Sequence, residues 1–382
     1  MQTTTLEPKT KAARTDWIQV ARELGPRFAA RAAAGDAQDA FVAENYAELK
    51  TKKAFSAGVP AELGGGGATH AEVCAFVRTL AQYCGATALA YSMHAHLVGV
   101  AAWRWRNEGA KTDGLLRKVA AEELVLVSSG GSDWLAGSGV AERVEGGYRI
   151  RARKVFSSGS PAGDLLVTSA VYTDPEDGPM VLHFPVPLRG DGVRLVDTWR
   201  AMGMRGTGSG DVLVEGVFVP DAAVGVKRPA GRWHPVMHCV AMIAFPLIYS
   251  AYVGLAEAAR DVAVRECAKR REDPATIAAV GLMETELHAA RIALGDMVET
   301  AATSKPGPAT TTRISTGRVL AGRAALRTAE RALEAAGGAA FRRELPLERI
   351  FRDVQAARFH PLGEKVQVGY AGRLALGLEL DG

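Results

Sequence analysis

Three histidines are the side chains best suited to proton chemistry in this chain. His94 and His96 stand in the run YSMHAHLV, and His360 precedes Pro361 in RFHP. An imidazole titrates close to neutral pH, so it can exchange a proton with a substrate or donate a hydrogen bond to a developing charge. His360 is the leading acid–base candidate, with His94 or His96 second. Each also has a plainer use, as a satisfied helix histidine for His94 and His96 and as a helix C-terminal cap for His360. Hydroxyls form the second group: Ser128 and Ser132 in VSSGGSD, and Ser157 and Ser158 beside Phe156 in KVFSSG. Placed on adjoining strands, they offer hydrogen bonds and an aromatic face to a bound ring. A strand-end or turn hydrogen bond is the alternative for each serine. Gly337 and Gly338 would let a backbone approach a phosphate closely, or would simply break a helix.

Composition narrows the classes. The 382 residues include 46 Lys and Arg against 42 Asp and Glu, a formal net charge of only +4. The basic residues of the C-terminal third, among them Arg313, Arg318, Arg323, Arg327 and Arg331, alternate with Glu330, Glu334, Glu344 and Glu348. That pattern reads as a solvated helix face laced with ion pairs, with a few phosphate contacts as the alternative, and not as a nucleic-acid surface. Cys74, Cys84, Cys239 and Cys267 stand far apart with no CxxC, so neither a metal site nor a disulfide scaffold is expected. The start, MQTTTLEPKTKAARTDW, carries no apolar run, so no signal peptide is expected and the cytoplasm is the default setting. From Trp233 to Ala256 no charged residue occurs, but His234, Pro235, His238, Pro246, Ser250 and Tyr252 interrupt the run. A buried core helix fits it better than a membrane span.

These candidates need elements to hold them. From about Thr15 to Leu124 apolar residues recur at helical spacing, as in Val73, Phe76, Val77, Leu80 and Tyr83. VPAELGGGGATH, from Val59 to His70, must be a loop, with a new helix capped near Thr69. From Glu123 short β-type runs follow one another: ELVLVSS, GVAERVEGGYRIRARKVFSS, DLLVTSAVYT, PMVLHFPVP, VRLVDTW and DVLVEGVFVP. Gly146-Gly147 marks a hairpin, and the strands are expected to be antiparallel. No helices alternate with them and no GxGxxG or Walker A sequence occurs, which excludes a Rossmann sheet and a P-loop. After Arg232 the chain is helical again, broken by SKPGPATT (304–311) and AAGGAAF (335–341). The expected division is an all-α domain over 1–122, a β-domain over 123–228 that carries the ligand contacts, and a helical bundle over 229–382.

Five segments, in order, resemble landmarks of the acyl-CoA dehydrogenase superfamily. They are VPAELGGGG, VSSGGSDWLAG (127–137), KVFSS (154–158), AMGMRGTGSGDVLVEGVFVP (201–220) and ALEAAGGAAFRRELPLERIFRDVQAARFHP (332–361). The resemblance implies an α+β fold with an N-terminal helical domain, a middle antiparallel β-domain and a C-terminal four-helix bundle. It also implies a bound flavin and a homodimer or homotetramer. Ser128, Ser132, Phe156, Ser157 and Ser158 would then contact the flavin, and Arg270, Gly337 and Gly338 its phosphates.

The chain departs from the dehydrogenase pattern at the base that removes the substrate's α-proton. Pro361 stands where the family often keeps a glutamate, and Ala244 where a minority of members carry it. Glu364, one turn on, is the nearest substitute. Asp273-Pro274 replaces the Phe-Gly that follows the phosphate-gripping arginine, and Glu334 replaces a glutamine, which disfavours tight FAD binding. FSSG resembles the flavin-dependent monooxygenase branch, whose members take reduced FMN or FAD from a separate reductase and use O2. The expected activity is therefore a two-component monooxygenase acting on a small molecule. The alternatives are an acyl-CoA dehydrogenase with a displaced base and a non-catalytic binding or assembly subunit.

Overall fold

The computed structural model describes residues 15–129, 131, 134–361 and 363–381. Ten α-helices and eight strands are found among them. The first helices are α1 (Trp17–Ala37), α2 (Ala43–Thr51), α3 (His70–Ala81), α4 (Gly85–Glu108) and α5 (Asp113–Glu122). Thr69 starts α3 with a capping box: its hydroxyl accepts from Glu72 N while the Glu72 carboxylate accepts from Thr69 N. The preceding glycine run folds back on itself, and a Cβ on Gly65 would stand 2.4 Å from the Val59 carbonyl oxygen. Only glycine permits that approach. Helix α4 is buried on almost every face, because it runs between the other helices and the sheet.

The strands are β1 (Leu126–Ser128), β2 (Val140–Val144), β3 (Gly147–Lys154), β4 (Leu165–Asp174), β5 (Gly178–Pro187), β6 (Val193–Val196), β7 (Asp211–Pro220) and β8 (Val226–Pro229). They form one sheet in the order β6-β7-β3-β2-β4-β5-β8, with β1 pairing β4. The expected hairpin is β2–β3, turning at Glu145-Gly146. The purely antiparallel expectation needs correction, because β1 and β2 both pair β4 in parallel. The β2–β3 excursion lies between β1 and β4 in sequence, so the chain returns beside β1 in the same direction. The pattern of the sequence does not reveal β8 as a strand, since VKRP offers neither alternation nor a run of β-formers.

The remaining helices are α6 (Pro235–Cys267), α7 (Pro274–Thr303), α8 (Pro308–Ala336), α9 (Leu347–Val354) and α10 (Glu364–Ala375). Three long helices pack side by side, and α9 and α10 pack against them as two short pieces. Helix α6 is long and apolar enough to cross a membrane by length and composition, but its apolar window is buried within the protein. It is the central helix of the largest core cluster. Near its C-terminal half the buried Glu257 accepts hydrogen bonds from Arg78 on α3 (2.9 Å), Gln82 (2.7 Å) and Arg291 on α7 (2.7 Å). Burial pushes this carboxyl up, but the bonds from Arg78 and Arg291 outweigh it and hold it below the usual range.

Candidate functional site

The sheet and the helices meet around a cavity of about 750 Å³. Its sheet wall carries Ser128 of β1, Thr168 of β4 and Phe184 of β5, together with Ser158 and Ser209. Its helix wall carries Met93, His96 and Leu97 of α4 and Met237, Ala244 and Phe245 of α6. The turn after α9 closes one side with Gln355, Phe359, His360 and Pro361.

Hydroxyls are linked along the sheet side. Ser158 and Ser209 share a hydrogen bond at 2.7 Å, and Ser209 is 2.6 Å from the Thr207 hydroxyl, which donates to Met204 O at 2.9 Å. Ser129 and Thr168 form a second pair at 2.7 Å. Phe156 has a left-handed backbone (φ 55°), remains exposed, and sets its ring edge-on to Trp199. Ser157 does not join them. The turn that follows β3 places it inward, where it is buried and donates to Lys154 O at 3.2 Å. Ser132 lies outside the described residues.

The two helix histidines part company for a geometric reason. At about 100° per residue, positions two apart on a helix point to nearly opposite sides. His96 lines the cavity, with Nδ1 donating to Ser92 O at 3.2 Å, so that Nε2 is the unprotonated nitrogen. His94 faces away from it. Its Nε2 donates to Phe55 O at 2.7 Å and its Nδ1 accepts from Leu126 N at 3.0 Å, so it ties α4 to the Phe55 turn and to β1. The expectation that His94 faces the ligand is therefore corrected. Burial lowers both rings to about 4, partly countered by the carbonyl each one bonds.

His360 does line the cavity, and its Nδ1 meets the hydroxyl of Tyr252 on α6. Burial, then the nearby Arg318 cation, lowers it to about 4. Arg270, Gly337 and Gly338 come together elsewhere, at the C-terminus of α8 and off the cavity. Arg270 donates to Ala335 O at 3.0 Å, and a Cβ on Gly337 would lie 4.0 Å from its guanidinium.

Both positions at which the resemblance implies a carboxylate, Ala244 and Pro361, face this cavity, and no Asp or Glu lines it among the described residues. Glu364 does not substitute, because it points outward and pairs with Arg323 on α8. Asp273 caps α7 by accepting from Thr276 N at 2.8 Å, and Glu334 pairs with Arg331 at 2.6 Å. The two arginines on the lining are already neutralised. Arg104 is held by Glu108 (2.8 Å), and Arg352 by Asp36 (2.6 Å) and Glu348 (2.7 Å).

Several lining residues escape sequence reasoning. Trp134 stacks on Phe245 (centroids 5.7 Å apart, 29° between planes), and its buried indole N–H has no protein acceptor among the described residues. Thr168 and Phe245 sit in runs that read only as strand and core helix. Ser209 lies within the quoted GTGSGDV stretch and could have been found there.

Gly203 joins the cavity wall to α9. A Cβ there would stand 2.2 Å from the Arg352 carbonyl oxygen and 2.7 Å from Asp353 N. Gly203→Ala should therefore lower stability by about 1–3 kcal/mol, the usual cost of overpacking. Urea unfolding would measure it, and an unchanged midpoint would show that the contact can relax.

Comparison with known proteins places this architecture. The acyl-CoA dehydrogenase N-terminal domain model matches residues 15–123, and the C-terminal domain model residues 246–364. The pigment production hydroxylase of Rhodococcus erythropolis is 30% identical over 288 residues, covering 66% of this chain and 73% of that protein. L-evernosamine nitrososynthase of a Micromonospora species is 27% identical over 397 residues, covering 98% of this chain and 93% of that protein. Among solved structures, KijD3 in complex with FMN and dTDP-3-amino-2,3,6-trideoxy-4-keto-3-methyl-D-glucose superposes with a TM-score of 0.87 at 26% identity. The match covers 97% of this chain and 96% of that one. With both of its domain models matched in order and a helix–sheet–helix fold shared along nearly its whole length, the chain belongs to the acyl-CoA dehydrogenase family.

Proposed function

We propose that this protein is a flavin-dependent monooxygenase that takes reduced FMN or FAD from a separate reductase and oxygenates a small, uncharged, apolar molecule. The observation that carries the reading is the cavity's chemistry: histidines and hydroxyls line it, while Ala244 and Pro361 stand where a dehydrogenase would keep its base. Without a carboxylate there, α-proton removal from an acyl thioester has no acceptor of suitable basicity.

The residues fit a flavin. Ser128, Ser158 and Ser209 offer hydroxyls, Phe156 and Trp199 offer ring faces, and the unpaired Trp134 N–H suits a group rich in acceptors. When bound, reduced flavin supplies the electrons that activate dioxygen. The protein's part is to exclude water with the apolar walls of α4 and α6 and to direct His96 and His360 at the reacting atoms. Both rings are neutral near pH 7, so His96 presents a hydrogen-bond acceptor at Nε2 and His360 can hydrogen-bond a developing anion.

The substrate class follows from the walls and the charges. Met93, Leu97, Met237, Val240 and Phe245 give an apolar end, and the stacked Trp134–Phe245 pair offers an aromatic face. Arg104 and Arg352 are already engaged by carboxylates, so a diphosphate would find no free partner in them. That favours an aromatic or aliphatic ring over a sugar nucleotide or an acyl-CoA. A homodimer or homotetramer and a cytoplasmic setting belong to the same reading.

The test is to load the protein with reduced FMN and an aromatic substrate panel, admit isotopically labelled dioxygen, and look for labelled product by mass spectrometry. Labelled product, absent without protein, is the expected result. Anaerobic bleaching of oxidised flavin by an acyl-CoA would replace this reading with a dehydrogenase. Failure to quench FMN fluorescence in titrations, together with no product, would point to a non-catalytic subunit.

A further inference from the structure

The two ring nitrogens of His360 have different surroundings, and the difference decides what the ring can offer the cavity. Nδ1 meets the Tyr252 hydroxyl, with the two ring centroids 5.5 Å apart and inclined at 48°. Tyr252 is completely buried on α6. Burial, reinforced by neighbouring Tyr249, keeps its phenol protonated far above the ordinary range. A buried phenol must place its proton on an acceptor, and Nδ1 of His360 is its one hydrogen-bond partner among the described residues.

We propose that Tyr252 is a positioning residue that locks His360 in the Nε2–H tautomer, so that the ring meets the cavity as a neutral hydrogen-bond donor and not as a base. The competing arrangement carries the proton on Nδ1, with the Ala356 carbonyl also within reach of the ring. It would leave the Tyr252 hydroxyl against a donor, with no acceptor for its own proton. Arg318 supports the neutral form. This arginine is buried, its guanidinium lies 5.2 Å over the Tyr249 ring, and its Nε and Nη1 have no partner among the described residues. Its cation opposes a second proton on His360.

The roles of the two cavity histidines then separate. His96 carries its proton on Nδ1 and presents an acceptor, whereas His360 presents a donor. The assignment of these roles rests on the proposed oxygenase reading, but the tautomer itself does not.

Heteronuclear proton–nitrogen spectra of histidine-labelled protein, recorded near neutral pH without ligand, test the tautomer directly. The His360 signals are identified by their loss in His360→Gln. The expected pattern has Nδ1 in the unprotonated range and Nε2 in the protonated range. In Tyr252→Phe, that pattern should collapse toward a tautomer mixture while the His96 signals stay in place. An Nδ1–H or doubly protonated ring in the unaltered protein would overturn the assignment, as would an unchanged His360 pattern in Tyr252→Phe. Should Tyr252→Phe fail to fold, the spectrum of the unaltered protein still decides the tautomer. Because no cofactor or substrate enters the measurement, its failure is distinguishable from failure of the oxygenase reading.

Discussion

His360→Ala should lower oxygenated product by a factor of about 10² to 10³, the range that one hydrogen-bond donor to a developing anion contributes, while flavin affinity changes little. The hydroxyls of Ser128, Ser158 and Ser209, proposed to contact flavin, lie on the sheet side, and His360 approaches from the turn after α9, so the two proposed functions are carried by different walls. The loss should fall on kcat and kcat/KM together if the ring acts only as charge develops. Removing the ring strands the Tyr252 hydroxyl at a cost of about 1–3 kcal/mol, so the assay belongs at a temperature where the variant is demonstrably folded. His94→Ala is the informative contrast. It breaks the bonds to Phe55 O and Leu126 N and should lower stability, yet leave turnover per folded molecule within about threefold. Single-turnover rates with titrated flavin separate the outcomes. Unchanged product formation in His360→Ala would remove the ring from the mechanism.

Acidification should destabilise this protein before its ordinary carboxylates are protonated. Burial depresses His94 and His96 from 6.5 to about 4, so the folded state binds fewer protons than the unfolded chain between those values. Stability from these rings is complete above about 6.5 and is lost as pH falls toward 4. Each is worth at most about 3 kcal/mol across the whole window. His70, half-buried and bonded to Ile243 O, acts in the same sense, and so does His360 to the extent that the cavity does not solvate it. Asp353 opposes them. Burial raises it to about 6, so its contribution is present below 3.8 and lost as pH rises through 6. Glu123, raised by burial, works in Asp353's direction. The net expectation is a loss of about 2–3 kcal/mol between pH 7 and pH 5. Urea titrations at the two pH values measure it, and His94→Gln should flatten the slope by one histidine's share. Equal stability at both would show that these rings are better hydrated than their burial implies.

What could be read from the residues alone was governed by local rules. Glycines 64–67 cannot continue a helix, Thr69 and Glu72 form a capping box, and Gly146 permits a tight hairpin turn. Those elements stood where the sequence put them. The uncharged run after Trp233 was also legible as a core helix, because its histidines, prolines and hydroxyls are ill suited to lipid. Of the candidate site residues, Ser128, Phe156, Ser158, His96 and His360 meet in one cavity, since strand ends and helix faces converge there. Ser157 and His94 do not, because chemistry in the sequence is blind to direction: the turn after β3 buries one and helical rotation turns the other away. Nor could periodicity reveal the parallel pairing of β1 with β4, which depends on where the chain returns after the β2–β3 hairpin. The tertiary structure alone brought Tyr252, more than 100 positions earlier in the chain, against His360. A tyrosine in an apolar helix looks like any core residue until its hydroxyl must find an acceptor. The sequence thus determined which groups were present and which elements would carry them, whereas packing decided which groups face the cavity and in what protonation state, because burial and partner geometry are properties of the fold.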